Sequence, residues 1–264
     1  MSDVLSQILE KKKASVAEQK KNFPLPDLER MLADAPAVRD FYAQVLGKGQ
    51  GVIPVIAEIK RKSPSKGEIR PGLDPGELAK KYQAAGAAAV SVLCEEDHFG
   101  GSLDDLASAR KNCSLPVLCK DFIISTFQVV LARVSGADVI LLIVAALEQK
   151  KLDELFLLAK ELQMTPLVEV HDQQELERAL SLGARLIGIN NRSLATLEVS
   201  LETTRNLLPL IPQDRIVISE SGFETRAQLE QFQKLGVTGF LVGGALLAAK
   251  DPESKLREMV YGQG

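Results

Sequence analysis

The sequence lacks tryptophan entirely and contains only three cysteines and two histidines among its 264 residues. The cysteines show no CxxC spacing, and the N-terminal segment has no apolar stretch of the kind found in signal peptides. These features predict a reduced, cytoplasmic protein. His98 and His171 are far apart and fall in no HExxH pattern, so we predict no structural or catalytic zinc site.

An excess of positive charge and long apolar runs are also missing. The formal net charge is -3, which gives no field to attract nucleic acid or an anionic membrane surface. The one dense basic cluster, residues 11–13, lies among Glu10 and Glu18 and is typical of a solvated helix face. The apolar run over residues 139–147 is far shorter than the roughly 18 to 20 residues that cross a bilayer. We therefore expect neither a nucleic-acid partner nor a membrane partner.

Short apolar runs rich in valine, isoleucine and leucine follow the first fifty residues and are typical of buried strands. Between them lie segments of helical character, several of which begin with a capping-box pattern and end at a glycine suited to a left-handed C-cap. These glycines recur about every 50 residues, or once in two strand-helix units. The runs are residues 53–60, 88–94, 116–120, 139–144, 166–170, 186–190, 215–221 and 239–242; the capping pairs are Asp74 with Glu77, Ser125 with Gln128, Asp172 with Glu175 and Thr225 with Gln228; the glycines are Gly86, Gly136, Gly183 and Gly236.

This alternation predicts an α/β protein, a (β/α)8 TIM barrel over residues 51–264, because right-handed crossovers place every helix on the outer face of a parallel sheet. An open doubly wound sheet is the alternative, but no GxGxxG follows the first strand. Residues 1–50 do not share the repeat. They predict an N-terminal helical extension packed on the barrel within a single domain, or alternatively a dimerisation arm; its apolar helical face comprises Val4, Leu5, Ile8, Leu9 and Val16.

Polar side chains stand at the C-terminal end of most predicted strands, where barrel enzymes carry their catalytic groups. Side chains two residues apart on a strand point to the same side, so Glu58 faces the same way as Lys60, and Asn190 the same way as Arg192. A structural ion pair would account for Glu58 and Lys60 if they stood alone. Because polar residues recur at most of the strand ends, an active site is favoured instead. Its candidate residues are Glu58, Lys60, Lys120, Glu169, Asn190, Arg192, Glu220 and Ser221.

Glycines after the last two strands indicate a place for a phosphate group. Gly222 and the pair Gly243-Gly244, which precedes a short helical segment, would let backbone amides approach an anion. A Gly-Gly pair alone would equally serve to turn the chain. The loop over residues 60–67 adds donors from Lys60, Ser63 and Ser65, and we expect it to order over bound ligand. The predicted partner is a phosphorylated small-molecule substrate.

At this point the sequence resembles the indole-3-glycerol phosphate synthase family over nearly its whole length. The first motif, Ile56-Ala57-Glu58-Ile59-Lys60-Arg61-Lys62-Ser63-Pro64-Ser65, is highly specific, whereas a lone KDF or ESG would not be. The motifs that follow in order are Phe99-Gly100-Gly101-Ser102-Leu103, Lys120-Asp121-Phe122, Leu141-Leu142-Ile143-Val144, Leu167-Val168-Glu169-Val170-His171, Gly188-Ile189-Asn190-Asn191-Arg192 and Ser219-Glu220-Ser221-Gly222.

The resemblance implies an enzyme of tryptophan biosynthesis that closes an indole ring with loss of carbon dioxide and water, without a metal or an organic cofactor. It implies that Lys120 is the general acid, Glu169 is the base, and Lys60 binds anionic groups and acts as a second acid. Orientation of the chemistry would fall to Glu58, Asn190, Arg192, Glu220 and Ser221, and the pocket for the aromatic ring to Phe99, Phe122, Leu141 and Leu194.

Two positions depart from the family pattern, and two other functions remain open. Gly244 stands where a hydroxyl or acidic residue is common, and Ser193 stands where an aspartate is common. A Schiff-base aldolase could use Lys120 or Lys60 as an amine nucleophile, and a non-catalytic phosphate-binding barrel would need only the glycines. Association with another enzyme of the tryptophan pathway is also left open.

Overall fold

The eight strand-helix units close into a parallel barrel, which confirms the predicted fold class. The computed structural model describes residues 4–64, 67–70 and 72–262; Ser65 of the predicted substrate loop lies outside the described residues. The barrel strands are β1 (Val55–Ile59), β4 (Ala89–Leu93), β5 (Val117–Lys120), β6 (Val139–Ile143), β7 (Thr165–Val170), β8 (Leu186–Asn190), β9 (Ile216–Glu220) and β10 (Gly239–Val242). Their order around the barrel is β1-β10-β9-β8-β7-β6-β5-β4, with β4 returning to β1.

Both faces of each barrel strand are apolar, which explains why the strand sequences are continuous apolar runs and do not alternate between apolar and polar residues. Parallel strands of a barrel are buried by helices on one side and by the barrel interior on the other. In β1, Ile56 packs into the interior, whereas Ala57 and Ile59 join the cluster beneath the helices. Substituting a polar residue on either face would therefore bury it.

Helices follow the barrel strands in turn, and their ends match most of the predicted signals. Thr225 and Gln228 form a complete capping box. The four glycines that were predicted to end helices all have positive φ. The prediction at Ser125 was wrong, because the side chain of Gln128 instead accepts from Ile124 and donates to Phe122. The helices are α1 (Val4–Asn22), α2 (Leu25–Met31), α3 (Phe41–Leu46), α4 (Pro75–Ala84), α5 (Leu103–Asn112), α6 (Thr126–Val134), α7 (Gln149–Glu161), α8 (Gln173–Ser181), α9 (Glu202–Leu207), α10 (Arg226–Leu235), α11 (Gly244–Ala248) and α12 (Pro252–Tyr261).

The N-terminal helices pack against both ends of the barrel. Leu5 and Ile8 of α1 lie in the same apolar cluster as Phe122, which follows β5. At the opposite end, Phe41 and Val45 of α3 join the cluster that contains the first residues of several strands. Buried contacts of this kind favour an extension that belongs to the barrel, and we propose that residues 1–50 form such an extension rather than a separate domain.

A buried ion pair fixes α1 beside the barrel mouth. Lys12 Nζ lies 2.7 Å from the Oδ1 atom of Asp121, the residue after β5. Both side chains are largely hidden from solvent, so separating them would leave an uncompensated buried charge.

The loop after β1 contains a small hairpin that the sequence did not predict. Strands β2 (Lys62–Ser63) and β3 (Gly67–Glu68) pair antiparallel. Arg61 anchors the start of the hairpin on Asp105, and the Arg70 guanidinium donates to the carbonyls of Leu247 and Ala249 at the end of α11.

No helix among the described residues is both long enough and apolar enough to cross a membrane.

Candidate active site

A cavity of about 750 Å³ opens at the C-terminal ends of the barrel strands. Of the predicted site residues that the structure describes, all except Glu220 line it. Active sites of this fold occupy the same face. The cavity-lining residues among the predictions are Glu58, Lys60, Ser63, Phe99, Lys120, Phe122, Leu141, Glu169, Asn190, Arg192, Leu194, Ser221, Gly222, Gly243 and Gly244.

Lys120 is the centre of a buried charge network at the floor of this cavity. Its Nζ atom lies 3.2 Å from Glu58 Oε2 and 3.1 Å from Glu220 Oε2. Glu58 also pairs with Lys60, the residue that follows β1, as their spacing of two residues predicted. Burial alone would lower the pKa of Lys120, but the carboxylates of Glu220, Glu58 and Glu169 outweigh it and raise that pKa above its ordinary value. The ammonium form is therefore the resting state near neutral pH.

The carboxylates around Lys120 are not equivalent. Burial raises the pKa of Glu58, but Lys60 and Lys120 reverse this effect and lower it to about 2. Lys120 is the one cation among the described residues that pairs with Glu220, and burial together with Glu169 and Glu58 raises the pKa of Glu220 to about 7. Near neutral pH Glu58 is ionised, whereas Glu220 takes up a proton more readily.

Glu220 contacts Lys120 but does not itself line the cavity, and its role in orienting the chemistry stays a prediction. Its side chain is fully buried, and it reaches the cavity only through the lysine. A Cβ atom on Gly188 would lie 2.5 Å from Glu220 Oε1. The glycine in β8 thus provides the space that this carboxylate occupies.

Glu169 extends from the end of β7 into the cavity. Its Oε1 atom lies 3.4 Å from His171 Nε2. Burial raises the pKa of Glu169, but His171, then Lys120 and Asn190, lower it below its ordinary value. The carboxylate is ionised near neutral pH, which is the form that accepts a proton.

Apolar side chains form the opposite wall of the cavity. The rings of Phe99 and Phe122 are 6.4 Å apart and tilted by 37°, and Leu141 and Leu194 continue the surface between them and the strands. Such a surface fits a planar aromatic group.

The N-terminal helix completes this wall with side chains that sequence reasoning did not assign to the site. Val4, Leu5 and Ile8 of α1 line the cavity. Their apolar spacing predicted only packing on the barrel, and nothing in the sequence distinguished packing beside the mouth from packing on the outer surface.

The loops that follow β8, β9 and β10 together line one part of the cavity. Ser221 and Gly222 both have positive φ, 66° and 88°, which turns the chain sharply after β9. Asn191 holds this turn, since its side-chain amide donates to the carbonyls of Glu220 and Ser221. Asn191 belonged to a recognised motif, but its positioning contact was not predicted.

The adjacent glycines Gly243 and Gly244 have different surroundings. A Cβ atom on Gly243 would collide with the carboxylate of Glu58, whereas one on Gly244 would meet nothing within 4 Å. Gly244 begins α11 and adds no side chain to this part of the cavity. Gly243 is thus required by Glu58 as well as by any anion that approaches its amide.

Replacing the two glycines separately should distinguish these roles. Gly243→Ala should displace Glu58 and lower kcat by about 10²-fold, the usual result of misplacing a catalytic group by about 1 Å. Gly244→Ala fits the open space and should alter KM more than kcat. Steady-state kinetics on both variants provides the measurement. Equal losses of kcat would show that the contact with Glu58 does not matter.

Arg192 and Ser193 organise the loop after β8. Asn190 Oδ1 accepts from the Arg192 amide at 3.0 Å, and the Arg192 guanidinium donates to the carbonyl of Leu197 at 2.8 Å. Ser193 Oγ accepts from the amides of Ala195 and Thr196. Ser193, which departs from the family pattern, therefore stabilises the turn that it begins.

Comparisons with known proteins support the fold and identify the family of this chain. Thiamine phosphate pyrophosphorylase from Pyrococcus furiosus is similar in structure, with a TM-score of 0.59 and 16% identity, covering 79% of this chain and 94% of that one. KGPDC from Streptococcus mutans has a TM-score of 0.61 and 12% identity, covering 79% of this chain and 96% of that one. These likenesses support the barrel. The family model of indole-3-glycerol phosphate synthase matches residues 5–259. The chain belongs to the indole-3-glycerol phosphate synthase family.

Proposed function

We propose that this enzyme converts 1-(2-carboxyphenylamino)-1-deoxyribulose 5-phosphate into indole-3-glycerol phosphate, carbon dioxide and water, as a carboxy-lyase of tryptophan biosynthesis. One observation carries the proposal. A protonated lysine, Lys120, and an ionised carboxylate, Glu169, share one cavity that has an apolar wall on one side and glycine-rich turns on the other. The substrate has an aromatic ring, a ketone and a phosphate to match these three regions.

Lys120 acts as the general acid of ring closure. The arene carbon attacks the ketone only if the charge that develops on oxygen is neutralised, and a positioned ammonium group can supply the proton. Ion pairs with Glu58 and Glu220 hold the ammonium at the floor of the cavity. Loss of carbon dioxide then removes the substrate carboxylate.

Glu169 acts as the base of the dehydration. It removes the proton whose loss forms the indole double bond, while the hydroxyl leaves as water. Lys60 is the second acid in this step and also attracts the anionic groups of the substrate. Its pairing with Glu58 keeps it beside the reacting atoms.

The substrate lies across the cavity with its ring against Phe99, Phe122, Leu141 and Leu194. Its phosphate lies against the backbone of the turns after β9 and β10 and near the loop after β1. These phosphate contacts come from Ser63, Arg192, Ser221, Gly222, Gly243 and Gly244, which all line the cavity.

Two alternatives fit the charge network less well. A Schiff base needs an unprotonated amine, and the carboxylates around Lys120 oppose that form. A non-catalytic phosphate-binding barrel would bury Glu58, Glu169 and Glu220 at a cost in desolvation without using them. A cytoplasmic location and association with another enzyme of the tryptophan pathway stay predictions.

The proposal is tested by incubating the protein with the carboxyphenylamino substrate while indole absorbance and fluorescence are recorded. The chain contains no tryptophan, so protein fluorescence will not mask the product. Mass spectrometry should show one carbon dioxide and one water lost per turnover. If no indole forms, and borohydride instead traps a carbonyl substrate on Lys120 or Lys60, the aldolase alternative replaces the proposal.

A further inference from the structure

A histidine and a second carboxylate lie behind Glu169, outside the cavity wall. His171 follows β7 directly, and its Nε2 atom lies 3.4 Å from Glu169 Oε1. On the other side of the ring, Nδ1 lies 3.0 Å from Glu175 Oε2. The same Glu175 oxygen accepts from the backbone amide of His171 at 2.8 Å. Glu175 therefore fixes both the backbone and the ring of the histidine.

The arrangement places a cation between two carboxylates in a poorly solvated region. The side chains of Glu169, His171 and Glu175 are only 2%, 14% and 15% exposed. Among the described residues, neither Glu169 Oε1 nor His171 Nε2 has a hydrogen-bond partner by strict geometry. The ion-pair contact between them is what compensates these two buried atoms.

The charge on His171 follows from its neighbours. Burial lowers the pKa of His171, but Glu169 and Glu175 outweigh it and raise it to about 10. Because the protonated ring is a weaker acid than the Glu169 carboxyl group, the proton stays on the ring and does not pass to Glu169 at rest. The ring acts through its charge and its position.

Resting on the proposed role of Glu169 as the base, we infer that His171 is a positioning residue, which together with Glu175 holds the Glu169 carboxylate in place and in its charged form. Other groups also face Glu169, and they set the background. Lys120 on β5 and Asn190 on β8 favour the charged form, whereas the nearby Glu220 on β9 is a like charge. His171 is the cation that contacts the Oε1 atom of Glu169, on the side of the carboxylate away from the cavity.

His171→Gln keeps a hydrogen-bonding side chain of similar length but removes the positive charge. Glu169 must be ionised to act as a base, so activity rises as pH increases through its pKa. Without the cation this pKa rises, and the acid limb of the kcat/KM profile should move at least one pH unit higher, with KM at neutral pH changed less than kcat. An unmoved limb in the folded variant would overturn the inference.

Glu175→Gln provides a second, independent test. The ring would remain cationic at acidic pH, so the acid limb should stay in place. On the alkaline side His171 would lose its proton at a lower pH, and with it the charged contact that positions the Glu169 carboxylate, so activity should fall earlier than in the wild-type enzyme although Glu169 stays ionised. An alkaline side identical to the wild type would show that the charged ring does not position Glu169.

His98→Gln is the matched control, because His98 also contacts a buried carboxylate, Glu95, at 3.2 Å. Whatever its effect on rate, its acid limb should match that of the wild type. A direct readout comes from ¹³C NMR titration of the Glu169 carboxyl carbon without substrate, which should show the higher pKa in His171→Gln. Absence of indole formation by the wild type would refute the proposed function, whereas a wild type that is active with an unmoved titration would refute only the role of His171.

Discussion

Replacing Lys120 with alanine is expected to lower kcat by about 10² to 10⁴, the usual contribution of a positioned general acid, with a smaller change in KM. The lysine is held in its ammonium form between Glu58 and Glu220. Alanine removes the proton donor but leaves the aromatic wall and the phosphate turns intact. Ring closure should stall, so unreacted substrate should remain bound.

Rapid-quench kinetics with the carboxyphenylamino substrate would measure this effect. Lys48→Ala is a suitable control, because Lys48 is a partly buried lysine at the opposite end of the barrel that donates to the carbonyls of Gly86 and Ala87. It should lower stability without a comparable loss of kcat. Near-normal turnover by a well-folded Lys120→Ala variant would contradict the assignment of the acid.

Replacing Glu169 with glutamine should cause a comparable loss of kcat for a different reason. The amide has nearly the same shape as the carboxylate but cannot accept the proton at neutral pH. Ring closure should still proceed because Lys120 is unchanged. Intermediates that have closed the ring but not lost water should therefore accumulate, which distinguishes this variant from Lys120→Ala.

Mass spectrometry of quenched single-turnover mixtures would identify those intermediates. Asp138→Asn is the control, because Asp138 is a buried carboxylate far from the cavity that contacts Arg110 and the Val117 amide. It should destabilise the protein without accumulation of intermediates. Full turnover by Glu169→Gln, or a block before ring closure, would show that Glu169 is not the base of dehydration.

The barrel was predictable because its signals are local. Apolar runs mark the strands, and glycines such as Gly86 and Gly236 end helices where the backbone must adopt positive φ. The ring of polar strand ends was predictable for a related reason. Parallel strands of a barrel all end at one face, so strand position alone brings Lys120 and Glu169 to one mouth.

The remaining features depend on contacts between distant segments. The space for Glu220 beneath Lys120 comes from Gly188, and the orientation of His171 comes from Glu175 in the following helix. Neither can be derived from the periodicity of one strand. The capping box at Ser125 failed because Gln128 finds tertiary partners instead. Sequence patterns therefore predicted which residues meet at the mouth but not how deeply each one lies.

The cavity wall joins segments from opposite ends of the chain. Val4, Leu5 and Ile8 face the same space as Gly243 and Ala249, and β1 pairs with β10 to close the ring. During synthesis α1 leaves the ribosome before the strands that it packs on, and Phe122, a neighbour of its apolar face, follows Leu5 by more than one hundred residues. No fragment that ends before β10 can bind substrate in a finished site. We therefore expect activity to appear only after β10 has left the ribosome, and chaperones to meet α1 while it is still uncovered.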